Sequence, residues 1–300
     1  MIAHFPPVNH QLVWPDPAKS KYEKQKSLFR KNMTCIICGK CKDGVVLVAD
    51  RKVICSTNSV EARDKIFMDF TPFVVASSGY TTSFDNFRRE AKDLAVRSRG
   101  FRVPGQQVFA TVPYDPTAFS GVAIYTSSSL WPHPTIPLAN YLDGLRSIVK
   151  RYKSEVNSDP TYEFDVVVAS RAEDTGSAYL SYIDENGMID DRETWKRYIV
   201  IGSYETRIAA EFLIKPVWNH DITMDEFAEL AYFIIKYVDR FKTDITVGLE
   251  GQKPLVWLIP NIRTPSKASD SYIEALESKV NQMLDNYSRD GIRLLTNRSS

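Results

Sequence analysis

Histidine and cysteine are scarce in this 300-residue chain, four of each, and their placement argues against metal chemistry. The histidines, His4, His10, His133 and His220, are scattered, three of them near prolines or in loops, so no imidazole cluster is expected. The cysteines, Cys35, Cys38, Cys41 and Cys55, crowd into one stretch. A chain of this length has no need of disulfide staples. The spacing Cys35-x-x-Cys38-x-x-Cys41 invites a metal or iron–sulfur reading. These residues sit, however, in TCIICGKCKDGVVLVAD, which reads as a strand hairpin. Side chains alternate between the faces of a strand. Cys35 and Cys41 then share one face and Cys38 points away, so the three are expected to be small buried hydrophobes, with no metal.

Long apolar runs are also missing. No stretch approaches the ~20 residues of a membrane-spanning helix. The opening MIAHFPPVNHQLVWPDP has no charged segment followed by an apolar one, so no signal peptide is expected and the chain is read as cytoplasmic, with no membrane partner. Charge of one sign is lacking too: 38 basic against 37 acidic side chains leave a net charge of +1, with no field to gather nucleic acid. GxGxxG, P-loop and HExxH motifs are absent, and no cofactor is expected. There is no internal repeat or low-complexity tract.

What is present is an ordered alternation of periods. Residues 1–17 are proline-rich and irregular, and 18–31 carry a basic segment that reads as a short exposed helix with a solvated face. From Thr34 the pattern is β. Asp43-Gly44 signals a tight turn, and Val45 to Ala49 is a continuous apolar run, the mark of a strand buried on both faces. Val53–Ser56 and Pro72–Ala76 extend the β region. Phe84, Phe87, Ala91 and Leu94 then repeat at helical spacing, as do Leu138, Tyr141, Leu142, Leu145, Ile148, Val149 and Tyr152. Between these helices lies a long aromatic- and proline-rich stretch, 99–136. Strands return at Phe164–Ala169, Ala178–Ile183 and Tyr198–Gly202, with a turn at Asn186-Gly187. A helix from about Glu205 is stopped by Pro216, and another begins at the capping box Thr223-x-x-Glu226. Ile245–Gly248 and Leu255–Ile259 read as short strands, and 270–287 as a last amphipathic helix. Strands, two helices, strands, two helices, strands: this order predicts an α+β fold of two sheets packed face to face with a helix pair outside each, a four-layer αββα sandwich.

MTCIICGKCKDGVVLVADRKV resembles the opening hairpin of proteasome subunits, and DKIFMDFTPFVVASSGYTTSFDNF resembles the stretch that follows it there. SYIDENGMID, YIVIGSYETRIAAEFLIK and TMDEFAELAYFIIK resemble the later part: a DxxG turn, a GS-containing strand end and two helices. The resemblance spans residues 33–259 and implies an N-terminal-nucleophile (Ntn) sandwich. It divides the chain into an extension or propeptide (1–33), an Ntn domain (34–260) with an insert at 99–136, and a C-terminal helical extension (261–300). It implies a threonine-type peptidase. Thr34 matches the nucleophile, Asp50 follows at the family spacing, and Lys65 matches the catalytic lysine one position early. Gly79 matches the turn whose amide serves the oxyanion, Ser203 the serine of the GS element, and Asp244 the accessory aspartate.

The chemistry gives these types their reason. A threonine hydroxyl needs a nearby base; in Ntn enzymes this is the chain's own α-amine, which titrates at about pH 8. Lys65 would supply positive charge and Asp50 would orient it. Ser203 and Asp244 would hold the amine, and the Gly79 amide would contribute ~3 kcal/mol to oxyanion stabilisation. Each has a structural alternative: Asp50–Lys65 as a plain ion pair, Gly79 for backbone geometry, Ser203 as a helix cap.

Three departures keep several readings open. Met33 stands where active subunits carry glycine, so the Thr34 amine must be freed by cleavage at Met33–Thr34 or by a start at Met33 followed by its removal. Val247 occupies a position where serine is expected. The basic extension and ITVGLEGQKPLVW also resemble non-catalytic α-type subunits. The readings are a peptidase acting on peptide or unfolded protein, a ring or scaffold subunit, and a connectase-like peptide transferase. The resemblance further implies an oligomer with proteasome-like subunits.

Overall fold

The computed structural model describes residues 34–54, 60–68, 73–79, 81–97, 138–155, 164–171, 177–191, 198–219, 221–241 and 247–296, all within one unit of the chain, Asn32–Ser300. The extension 1–33, the insert 99–136, Cys55, Asp244 and the four histidines lie outside the described residues.

β1 (Cys35–Cys41) and β2 (Gly44–Ala49) form the expected antiparallel hairpin. Its turn is Lys42-Asp43, with Gly44 already paired to Cys41. Gly44 is needed for a close approach: an added Cβ would lie 2.4 Å from the Ile259 carbonyl oxygen and 2.5 Å from Met224 Sδ. β10 (Tyr198–Gly202) pairs with β1, and β11 (Leu255–Pro260) with β2. β12 (Ser266–Lys267) completes a five-stranded antiparallel sheet in the order β10-β1-β2-β11-β12. The second antiparallel sheet has the order β5 (Ile66–Phe67), β6 (Val74–Ser77), β7 (Val166–Arg171), β8 (Ala178–Ile183) and β9 (Ile189–Asp191). A small ribbon, β3 (Lys52–Ile54) with β4 (Val60–Ala62), links them in sequence.

Three cores follow from the two-residue period. Between the sheets, Ile36, Cys38, Val45 and Leu47 meet Val74, Ala76, Val167 and Leu180. The other face of the first sheet, with Cys35, Ile37, Val46 and Val48, packs on α3 (Tyr204–Ile214), α4 (Met224–Phe241) and α5 (Asp270–Thr296) through Ala210, Phe227, Ile234 and Val280. The other face of the second sheet packs on α1 (Thr81–Arg97) and α2 (Leu138–Glu155) through Phe87, Ala91, Leu145 and Val149. The layers are helices, sheet, sheet, helices, the αββα sandwich expected, with Val45–Ala49 central and fully buried. Burying one such aliphatic side chain stabilises the fold by ~2 kcal/mol. Cys35 and Cys41 do face the helices while Cys38 faces the opposite sheet.

The capping box closes α4. Glu226 N–H donates to Thr223 Oγ1 (3.2 Å) and Thr223 N–H donates to Glu226 Oε2 (2.8 Å). Asp43, in the hairpin turn, accepts from Met224 N–H (2.8 Å), so the β1–β2 turn also caps this helix. The expected strand Ile245–Gly248 is corrected at its described end: Val247 and Gly248 are not in a strand, and the Gly248 carbonyl accepts from Arg51 and Lys52 N–H (3.1 and 2.9 Å) in a loop contact, while residues 245–246 lie outside the described residues.

Candidate functional site

Thr34 immediately precedes β1, Asp50 follows β2, and Lys65 precedes β5. The hairpin brings the first two together, since its register pairs Ile36 with Ala49. The loop through β3 and β4 returns Lys65 to the same place. All three converge on one atom. Asp50 Oδ1 accepts from Thr34 Oγ1 (3.2 Å), from Lys65 Nζ (2.5 Å) and from the Cys35 amide (2.8 Å). Asp50 Oδ2 accepts from the Gly248 amide (3.2 Å). Asp50 is 0% exposed, Thr34 2% and Lys65 4%, so water takes little part in these contacts.

Burial pushes the Asp50 carboxyl above its ordinary value, against the pull of Lys65 and the Cys35 and Gly248 amides. Burial likewise holds the Lys65 ammonium below its ordinary value, with Asp50 opposing. Both shifts reflect the cost of burying charge, which the pairing of the two groups opposes. The Thr34 hydroxyl, the Asp50 carboxyl and the Lys65 side chain thus meet at one buried oxygen.

Ser203 lies beside this cluster, because Gly202 is the register partner of Cys35. Its Oγ accepts from Thr206 N–H (3.2 Å), making it the N-cap of α3. Gly79 follows β6 at φ +143°, a region open to glycine; an added Cβ would lie 2.3 Å from the Phe164 ring. The preceding amide, of Ser78, is engaged by the Asp165 carbonyl (2.9 Å).

One part of the site escaped the sequence. The Gly248 and Cys35 amides that clamp Asp50 are backbone donors, which no residue letter announces. Among the described residues no group of three histidine, cysteine or acidic side chains is placed to hold a metal. No described helix is long and apolar enough to cross a membrane.

No family model and no curated protein matches the chain. Solved structures do. Anbu (ancestral beta-subunit) from Yersinia bercovieri superimposes with a TM-score of 0.60 at 11% identity, covering 85% of this chain and 97% of that one. Anbu from Hyphomicrobium sp. strain MC1 gives a TM-score of 0.57 at 13% identity, with the same coverage. Its Gly-1 mutant gives 0.56 at 13%. These matches correct the resemblance to proteasome subunits, because Anbu is a proteasome-like but distinct family and not an established proteasome subunit. At such identities the likeness shows the fold alone, an αββα sandwich shared with these Anbu structures.

Proposed function

We propose that the chain is a threonine-type peptidase whose mature form begins at Thr34. The observation that carries this reading is the convergence of Thr34 Oγ1, Lys65 Nζ and a clamped carboxylate oxygen at Asp50, all buried. In this reading residues 1–33 are a propeptide, and their loss turns the Thr34 peptide nitrogen into an amine. Thr34 Oγ forms a bond to the scissile carbonyl carbon while its proton passes to that amine. The C–N bond of the peptide then breaks, and the proton leaves on the departing amine. Water attacks the ester, releases the acid product and restores the hydroxyl. Asp50 fixes Lys65 beside the reacting oxygen, and Lys65 favours the anionic side of each transfer. The Gly79 amide is the oxyanion donor in this scheme, since the Ser78 amide is already engaged. Ser203, the N-cap of α3 beside the Thr34 end of β1, and Asp244 are assigned to hold the amine. Substrates are peptides or unfolded proteins.

Intact-mass spectrometry of protein from its native cell tests the reading. The expected result is a chain lacking residues 1–33 that adds one equivalent of an electrophile selective for N-terminal threonine, and a Thr34→Ala variant that folds but does not label. A chain starting at Met1 and inert to the probe would overturn it, because the general base would be missing.

A further inference from the structure

The two oxygens of Asp50 are used unequally. Oδ1 accepts from Thr34, Lys65 and the Cys35 amide, whereas Oδ2 accepts from the Gly248 amide alone among the described residues. A carboxylate turns about a single bond, so the grip on Oδ2 decides where Oδ1 points. Gly248 lies in the segment that enters β11, and this segment is tied to the chain leaving Asp50. The Gly248 carbonyl accepts from the Arg51 and Lys52 amides, and the Lys253 carbonyl accepts from Arg51 Nε (2.8 Å).

Between Gly248 and Lys253 the chain reverses. Gln252 N–H donates to the Leu249 carbonyl (2.8 Å), and the two residues between them, Glu250 and Gly251, stand at φ +48° and +76°. This is the pattern of a type I′ turn, whose first central position favours asparagine, aspartate or glycine. Glu250 is the one described non-glycine residue at positive φ, and a glutamate held there calls for a reason. Its carboxylate supplies one. Glu250 Oε1 lies 3.5 Å from Lys52 Nζ. The two side chains close over Gly248, where an added Cβ would stand 3.0 Å from Lys52 Cδ and 3.3 Å from Glu250 Oε1.

We propose that Lys52 and Glu250 are positioning residues: their ion pair clamps the Gly248 amide onto Asp50 Oδ2 and so keeps Oδ1 turned to Thr34 and Lys65. The clamp reaches the surface, with the Glu250 side chain 37% exposed and that of Lys52 18%, while Asp50 is 0% exposed. One glycine thus carries the hold of a surface ion pair to a buried carboxylate. Exposed ion pairs contribute little to stability, so the clamp shows in the geometry at Asp50 and not in the melting temperature. The hold on Asp50 stands apart from catalysis; its effect on reactivity rests on Thr34 being the nucleophile proposed above.

Amide hydrogen exchange of the full chain, carrying isotopically labelled glycine and read by NMR, tests the hold, with Gly39 and Gly202 as references. Glu250→Asn suits the turn and is expected to melt no lower than wild type, yet to exchange the Gly248 amide about tenfold faster. Lys52→Met is expected to quicken that exchange equally and Lys52→Arg to keep it slow. On the chain beginning at Thr34, an electrophile selective for N-terminal threonine is expected to react about tenfold more slowly with Glu250→Asn and Lys52→Met, and at the wild-type rate with Lys52→Arg. Unchanged Gly248 exchange in Glu250→Asn and Lys52→Met would overturn the proposal, as would quickened exchange with labelling at the wild-type rate. A wild-type chain that takes no label would instead overturn the peptidase reading, and the exchange rates would then decide the clamp by themselves.

Discussion

Asp50 and Lys65 form a buried pair whose two members are not equivalent. Asp50 accepts from two backbone amides and the Thr34 hydroxyl as well as from Lys65 Nζ. Asp50→Ala removes one acceptor from four donors at once, and is expected to cost ~3–5 kcal/mol. Lys65→Met removes one donor and leaves the carboxylate with the Thr34 hydroxyl and the Cys35 and Gly248 amides, so it is expected to cost less. Urea denaturation of the two variants measures the order; equal losses would contradict the unequal roles. The resemblance pointed to Thr34, Asp50 and Lys65 because it aligns side chains in order along the chain, and the fold brings these three together. The Cys35 and Gly248 amides were not legible in the sequence, because any residue supplies an amide and only the fold aims it. Ser203 shows a further limit: one hydroxyl can cap a helix and stand beside Thr34, and its letter is the same for both.

The long helices were readable as elements because an apolar stripe repeats over several turns. β5 and β12 have two residues each and β4 and β9 three, too few for a period to register. The last helix was read to 287 and runs to Thr296, past Gly291, which costs ~1 kcal/mol in a helix and weakens the signal there. The tie between α4 and α5 carries a pH dependence. Burial alone would raise the Glu277 carboxyl, but hydrogen bonds from Lys236 Nζ (2.6 Å) and Tyr232 OH hold it below its ordinary value. Its folded pKa is thus lower than its unfolded one. The stabilisation is complete above the ordinary carboxyl range and is lost as pH falls through the lowered value. Glu277→Gln is expected to destabilise at neutral pH by at most ~1 kcal/mol, given solvent screening. The gap from wild type should close on acidification. Thermal melts of both proteins at neutral and acid pH check this; a gap unchanged in acid would contradict it.

At the scale of the whole molecule, the sandwich could be anticipated because strand and helix blocks follow one another in an order that only stacked layers satisfy. How the layers come apart is a separate property, and β1 is equipped to report it. Cys38 is shut between the two sheets, while Cys35 and Cys41 of the same strand are shut beneath the helices. Burial pushes the Cys38 and Cys41 thiols well above their usual range, so reagents that require a thiolate must await an opening event. In a Cys55→Ser background, timed alkylation in mild denaturant followed by peptide mass analysis would assign each event to a layer. Cys41, at the hairpin end and 5% exposed, is expected to be modified first. Cys38 is expected to be modified only at the rate of global unfolding. Modification of Cys38 ahead of Cys41 would mean that the sheets part before the helices lift. The alternation of three sulfur atoms along one strand thus gives the chain a clock for two of its three seams, readable without any added label.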